Sequence, residues 1–247
     1  MVAKLSDRIE GNKYNGVGNA NPNLLINGDR LINQRVFAGG QPAANVYGAD
    51  RWKGSADGLQ IEQVVENTES LDELATISWQ GGTGTASVNG QSGLISGETF
   101  TLTTSGNYSV IVPTDASKIK LEYGNTATPY QARPIGEELA LCQRYYRKYD
   151  YVGSRTAGFT GATQYLAPLE YSMRIAPTVS FSGKFLYTSQ TTRTANNSSN
   201  LSVAAVGLAP SSVVTDNCLA VAANYIGATT RTYGFYVTDL ALDAEIY

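Results

Sequence analysis

Short runs in which apolar and polar residues alternate one by one set the pattern of the chain from residue 24 onward. Ala75, Ile77 and Trp79 share one face of such a run, Phe100 and Leu102 a second, and Ile119, Leu121 and Tyr123 a third, while Leu59, Ile61 and Gln63 alternate with Gln60 and Glu62. A period of two puts every second side chain on one side of a strand, so each run predicts a strand with one buried face. Turn signals fall between the runs at Asn27-Gly28, Gly39-Gly40, Asp57-Gly58 and Asn89-Gly90, and these favour hairpins. The stretch Gly81-Gly82-Thr83-Gly84-Thr85 has the glycines of a phosphate cradle without a following Lys-Ser or Lys-Thr pair, and it reads as a hairpin turn.

One segment changes period. Ile135, Leu139, Cys142, Tyr146 and Tyr149 recur at intervals of three and four, which predicts a helix over 136–149 that buries Leu139, Cys142 and Tyr146. Pro134 suits its start, Glu137 and Glu138 complement the dipole in its first turn, and Arg144, Arg147 and Lys148 do so toward its end. Beyond it, strands are expected near 165–172, 177–187, 201–208, 217–225 and 230–239, with a polar loop at Thr191–Asn200. Residues 1–22 are rich in Gly and Asn and poor in apolar side chains, so they read as an extended arm. The expected fold class is therefore all-β: two β-sandwich or jelly-roll domains, 23–135 and 136–247, joined by one short helix and preceded by the arm.

Composition narrows the chemistry. The 247 residues include 18 Lys+Arg and 21 Asp+Glu, a net charge of −3, which provides no footprint for a nucleic-acid backbone. There is no histidine, so imidazole triads, imidazole bases and imidazole zinc sites are excluded. Cys142 and Cys218 stand far apart outside any Cys-x-x-Cys pattern and read as buried, reduced thiols. No apolar run approaches the roughly 18 residues of a bilayer span, and the charged first eleven residues do not read as a secretory signal. Asp243 and Glu245 could share a face as a glycosidase pair does, but a solvated last strand is the simpler reading. Trp52 and Trp79 read as core anchors. The sequence is read as non-enzymatic, with no metal and no cofactor.

Three stretches carry a resemblance to a known family. Asn23-Leu24-Leu25-Ile26-Asn27-Gly28-Asp29-Arg30-Leu31-Ile32-Asn33-Gln34-Arg35, followed by Asp50-Arg51-Trp52, resembles the opening of the carbohydrate-binding-like jelly roll of bacteriophage tail-fibre proteins. Lys120-Leu121-Glu122-Tyr123-Gly124, Ala127-Thr128-Pro129-Tyr130, Arg133-Pro134 and Glu137-Glu138-Leu139-Ala140-Leu141-Cys142-Gln143-Arg144-Tyr145-Tyr146 are similar to the junction after that jelly roll. Met173-Arg174-Ile175-Ala176-Pro177-Thr178-Val179 and Leu242-Asp243-Ala244-Glu245-Ile246 are similar to the C-terminal domain. Arg30 departs from the pattern, since the family commonly has Phe there.

The resemblance implies a virion protein, a short tail fibre or tail appendage assembled in the host bacterial cytoplasm. It would attach to other virion proteins through residues 1–22 and bind a host-surface glycan or receptor as a homotrimer, without nucleic acid and without membrane insertion. The alternative is a structural head or tail decoration protein that packs on other virion proteins. Receptor contacts are expected in tyrosine-containing polar loops of the C-terminal domain, at Tyr151, Arg155, Gln164 and Tyr165 and at Gln190, Arg193 and Asn197, because loops on a rigid sandwich commonly carry binding residues.

Overall fold

Alternating runs become antiparallel strands wherever one face can be buried. The computed structural model describes residues 21–156, 163–168, 172–175, 177–187, 218–223 and 233–246, and over these the protein is all-β with one short helix. Eight strands come first: β1 (Lys53–Gly54), β2 (Ile61–Val65), β3 (Leu71–Gln80), β4 (Ala86–Val88), β5 (Gln91–Leu94), β6 (Glu98–Thr104), β7 (Tyr108–Val112) and β8 (Ser117–Tyr123). They form a five-stranded sheet in the order β1-β2-β7-β4-β5 and a three-stranded sheet in the order β6-β3-β8. Side chains from both sheets close on one core. Ala75, Ile77 and Trp79 of β3, Phe100 and Leu102 of β6 and Ile119 and Leu121 of β8 meet Ile61 of β2 and Val110 and Val112 of β7 there. Trp52 joins the same core, as the sequence suggested.

The turns divide into two kinds. Asn89 and Gly90, at φ 48° and 82°, make the β4–β5 connection of the type I′ kind that matches strand twist. The glycines at 81, 82 and 84 are a turn as well, but they carry the chain from β3 in one sheet to β4 in the other instead of closing a hairpin.

Helix α1 spans Ile135–Gln143 and stops at Arg144, which corrects the expectation of a helix to residue 149. Tyr146 already belongs to β9 (Tyr146–Thr156), where it pairs with Asp243, and Tyr149 pairs with Leu240. The three-and-four spacing persisted through two tyrosines that prefer extended backbone once a partner strand is present. That partner is β13 (Tyr233–Asp243), flanked on its other side by β11 (Thr178–Tyr187); β10 (Thr163–Pro168) pairs with β12 (Cys218–Ala223). On α1 the buried residues are Glu138 and Cys142, whereas Leu139 is only partly covered. The strand expected near 201–208, the loop at Thr191–Asn200 and residues 1–20 of the arm lie outside the described residues. Asn21 is already fixed, its backbone N–H donating to Thr128 Oγ1 at 3.2 Å and its side chain to the Tyr123 carbonyl at 2.9 Å. Among the described residues, no helix is long and apolar enough to cross a membrane.

Candidate functional site

The segment between residues 23 and 52 has little regular structure, and its shape comes from side chains bonding to backbone. Asn27 is fully buried at φ 56°, a left-handed conformation that asparagine tolerates better than most residues. Its amide nitrogen donates to the carbonyls of Ile32 and Asp50 at 2.8 and 2.9 Å, and its amide oxygen accepts from the Ile32 N–H at 3.0 Å. Its own carbonyl accepts from Trp52 Nε1 at 2.8 Å. Glu138 of α1 then accepts from the Asn27 N–H at 2.5 Å and from Arg133 at 3.1 Å. Arg133 also donates to the carbonyls of Leu25 and Asn23. Glu138 is thus a specific tie between the helix and the first segment, in addition to its place in the first helical turn.

A second set of contacts binds this segment to the end of β13. Arg51 is 1% exposed and pairs with Glu245, with its second terminal nitrogen donating to the Val64 carbonyl and its guanidinium 3.6 Å from the centre of the Tyr145 ring. Arg35 lies 3.6 Å from the centre of the Tyr146 ring and pairs with Asp243 at 3.4 Å and Glu245 at 3.3 Å. The Tyr47 hydroxyl donates to the Ile246 carbonyl at 2.8 Å. Asp243 and Glu245 are therefore not on a solvated strand, because two arginines draw them in. Burial, the largest influence, would by itself lower the Arg51 pKa, but Glu245 together with Tyr145 and Tyr47 outweighs it and holds the guanidinium above its ordinary value. Burial also raises the Asp50 carboxyl, against the opposing hydrogen bonds from Gln34, and raises the Cys142 thiol so far that it carries no thiolate at neutral pH. The opposite charges in this joint pair with one another, which suits a structural role.

Of the residues expected to bind a receptor, Tyr151 and Arg155 lie on β9, opposite Thr238 and Gly234 of β13. Gln164 and Tyr165 lie on β10, opposite Ala222 and Val221 of β12. This corrects the expectation of loops at these four positions: they belong to strands of two different sheets, because each segment found an antiparallel partner late in the chain. Gln190, Arg193 and Asn197 lie outside the described residues.

The sequence reading missed an open cavity of about 270 Å3 in the first segment, with Trp52 and Ile61 among its lining residues and Asp29, Arg30, Phe37 and Pro42 around them. Gly48 makes room for its wall, since a Cβ there would come within 3.1 Å of the Phe37 ring and 2.8 Å of Pro42 Cγ. Asn33 pins Phe37 by accepting from its N–H at 2.9 Å and donating to its carbonyl at 2.8 Å. Arg30 anchors the other side by donating to the carbonyls of Thr114 and Ala116, both at 2.8 Å. Burial and then the nearby Asp29 carboxylate push the Tyr130 hydroxyl up to about 12, so it stays protonated at neutral pH. Among the described residues, no three metal-ligating side chains gather to hold an ion. Comparison with protein-family models, curated proteins and solved structures gives no match.

Proposed function

We propose that the chain is a non-enzymatic bacteriophage virion protein, a short tail fibre or tail appendage, that binds a host-surface glycan or receptor as a homotrimer. The observation that supports this reading is where the motif residues go. Asn27, Asp50, Arg51, Trp52, Glu138 and Glu245 come from all three stretches that carry the tail-fibre resemblance, and they interlock through the bonds described above. Residues shared for this purpose mark a common scaffold. A scaffold whose charges are neutralised internally leaves recognition to irregular surface segments, the usual place for binding residues. Weak sites repeated around a three-fold axis gain effective concentration without deep pockets, which suits a cavity as open as this one.

The test is a competition experiment with antibody-labelled electron microscopy of virus particles. Purified chain is expected to reduce adsorption of the particles to host cells, and the antibody is expected to decorate tails. Label confined to heads, with adsorption unchanged, would replace this reading with the decoration role.

A further inference from the structure

We infer that strand β6 pairs edge to edge with β6 of a second copy of this chain, across a two-fold axis at Thr101. The sheet β6-β3-β8 then continues, strand by strand, into the same sheet of the other copy. This goes beyond the receptor-binding reading and rests on different residues.

The direction of the backbone groups comes first. On β3 the Leu74 carbonyl accepts from the Gly124 N–H, just past the end of β8, and the Ile77 carbonyl accepts from the Gly97 N–H, just before the start of β6, both at 2.8 Å. Successive residues of an antiparallel strand point their N–H and C=O groups to opposite sides. Glu73, Ala75 and Ile77 therefore bond toward β6, and Leu74, Thr76 and Ser78 toward β8. In the β3–β6 register Ala75 faces Phe100 and Glu73 faces Leu102, so Phe100 and Leu102 bond to β3 while Thr99, Thr101 and Thr103 turn their backbone groups outward. The Thr103 carbonyl follows this alternation, since it accepts from the Asn89 side chain at 2.7 Å. Among the described residues, nothing bonds the outward N–H and C=O groups of Thr99 and Thr101.

The other edges of the sandwich are closed. The first segment covers β8, with the Leu24 N–H donating to the Leu121 carbonyl and the Ile119 N–H to the Gly28 carbonyl. Strand β1 is two residues long and is bridged by Ala44 and Tyr47. Strand β5 carries Gly93 at φ 83° and a shift of register against β4, an irregularity of the kind that turns an edge away from other chains. Strand β6 has no such protection. Its seven residues pair with β3 without a shift and include no Pro, Gly or Lys, and a regular, unguarded edge of this length is a template for another strand.

The edge also fits itself. Antiparallel pairing centred on Thr101 sets Thr101 opposite Thr101, Thr99 opposite Thr103 and Phe100 opposite Leu102. Threonine pairs then line the outer face and apolar pairs the inner one, both favourable across strands. Glu98, the one charged residue of β6, falls opposite Thr104, so no like charges meet. Self-complementarity of this kind is what a two-fold interface between identical subunits requires. The contact is independent of a three-fold axis: alone it joins two copies, and combined with trimers it joins six.

Native mass spectrometry of the full chain over a dilution series tests the pairing, and an even number of copies is expected. Thr101→Pro removes the central outward N–H at an edge position where proline leaves the β3 ladder intact. Thr101→Lys keeps the backbone and sets like charges directly opposite each other. Each variant should halve the number of copies with the far-UV circular dichroism unchanged. Mixing Thr101→Lys with Thr101→Glu should restore the full assembly as a one-to-one combination of the two, which a mere loss of stability would not do. An even assembly that both Thr101→Pro and Thr101→Lys leave whole would overturn the proposal. A wild type of three copies at every concentration would overturn it while leaving the homotrimer in place, and a wild type of one copy would overturn both.

Discussion

Glu245 accepts from two arginines at once while shielded from water, so its removal would leave the buried Arg51 without a carboxylate partner and Arg35 with Asp243 alone. Glu245→Gln is expected to destabilise the protein by about 3–5 kcal/mol, the cost of leaving a buried charge unpaired. The check is a lower urea midpoint at unchanged m. The pair itself is replaceable: the Nε–H groups of Arg35 and Arg51 are buried without a hydrogen-bond partner, so the ionic arrangement already carries a cost. Arg51→Met combined with Glu245→Leu should therefore recover most of what Glu245→Gln loses. Asp50 gives a pH signature. Its folded-state pKa is raised above the ordinary 3.8 by burial, so the folded protein holds that proton longer than the unfolded chain does. The stability from this group is complete below pH 3.8 and is lost as pH rises through the folded value. The advantage of the wild type over Asp50→Asn, which stays neutral, should shrink in thermal melts as pH rises above 3.8; a constant difference would contradict this.

At the scale of elements, α1 shows which part of the fold a local pattern can reveal. Glu138 and Cys142 face inward on it and Leu139 only partly, because Glu138 is drawn to Arg133 and the Asn27 N–H. Glu138→Ala should cost about 1.5–3 kcal/mol, as loss of charge-assisted hydrogen bonds does. Leu139→Ala should fall below the roughly 2–5 kcal/mol of a fully buried leucine. Equal losses in denaturation midpoints would reverse this assignment of the buried face. The strands of the sandwich were legible because Ala75, Ile77 and Trp79 obey a local rule, burial on one face, and Asn89-Gly90 obeys another. The end of α1 was not legible, since the partner that extends Tyr146 and Tyr149 lies on β13, far along the chain. The cavity was hidden for a related reason. It depends on Arg30 and Val36 adopting left-handed backbone, which their side chains do not announce.

Across the whole molecule, the contacts that finish the first segment reach very far along the chain. Arg51 and Glu245 are 194 positions apart, Tyr47 and Ile246 are 199, and Arg35 and Glu245 are 210. A chain stopped after Asp243 lacks Glu245 and the bond from the Ala244 N–H to the Tyr145 carbonyl. In that chain trypsin should cut after Arg35 and Arg51 well before it cuts within β1–β8, while the full chain resists at both sites; identical digestion maps by mass spectrometry would contradict this. The same reach has a consequence for synthesis. At roughly 5–20 residues per second, the ribosome takes on the order of 10–40 s to travel from Arg51 to Glu245. Throughout that interval both arginines wait without Glu245, so the segment they belong to is completed only when a residue nearly two hundred positions later has been made. A message cut short, or a ribosome that stalls before the final codons of this stretch, would leave a chain with an intact sandwich and an open joint. Proteolysis of that joint would then separate unfinished chains from those fit to be assembled.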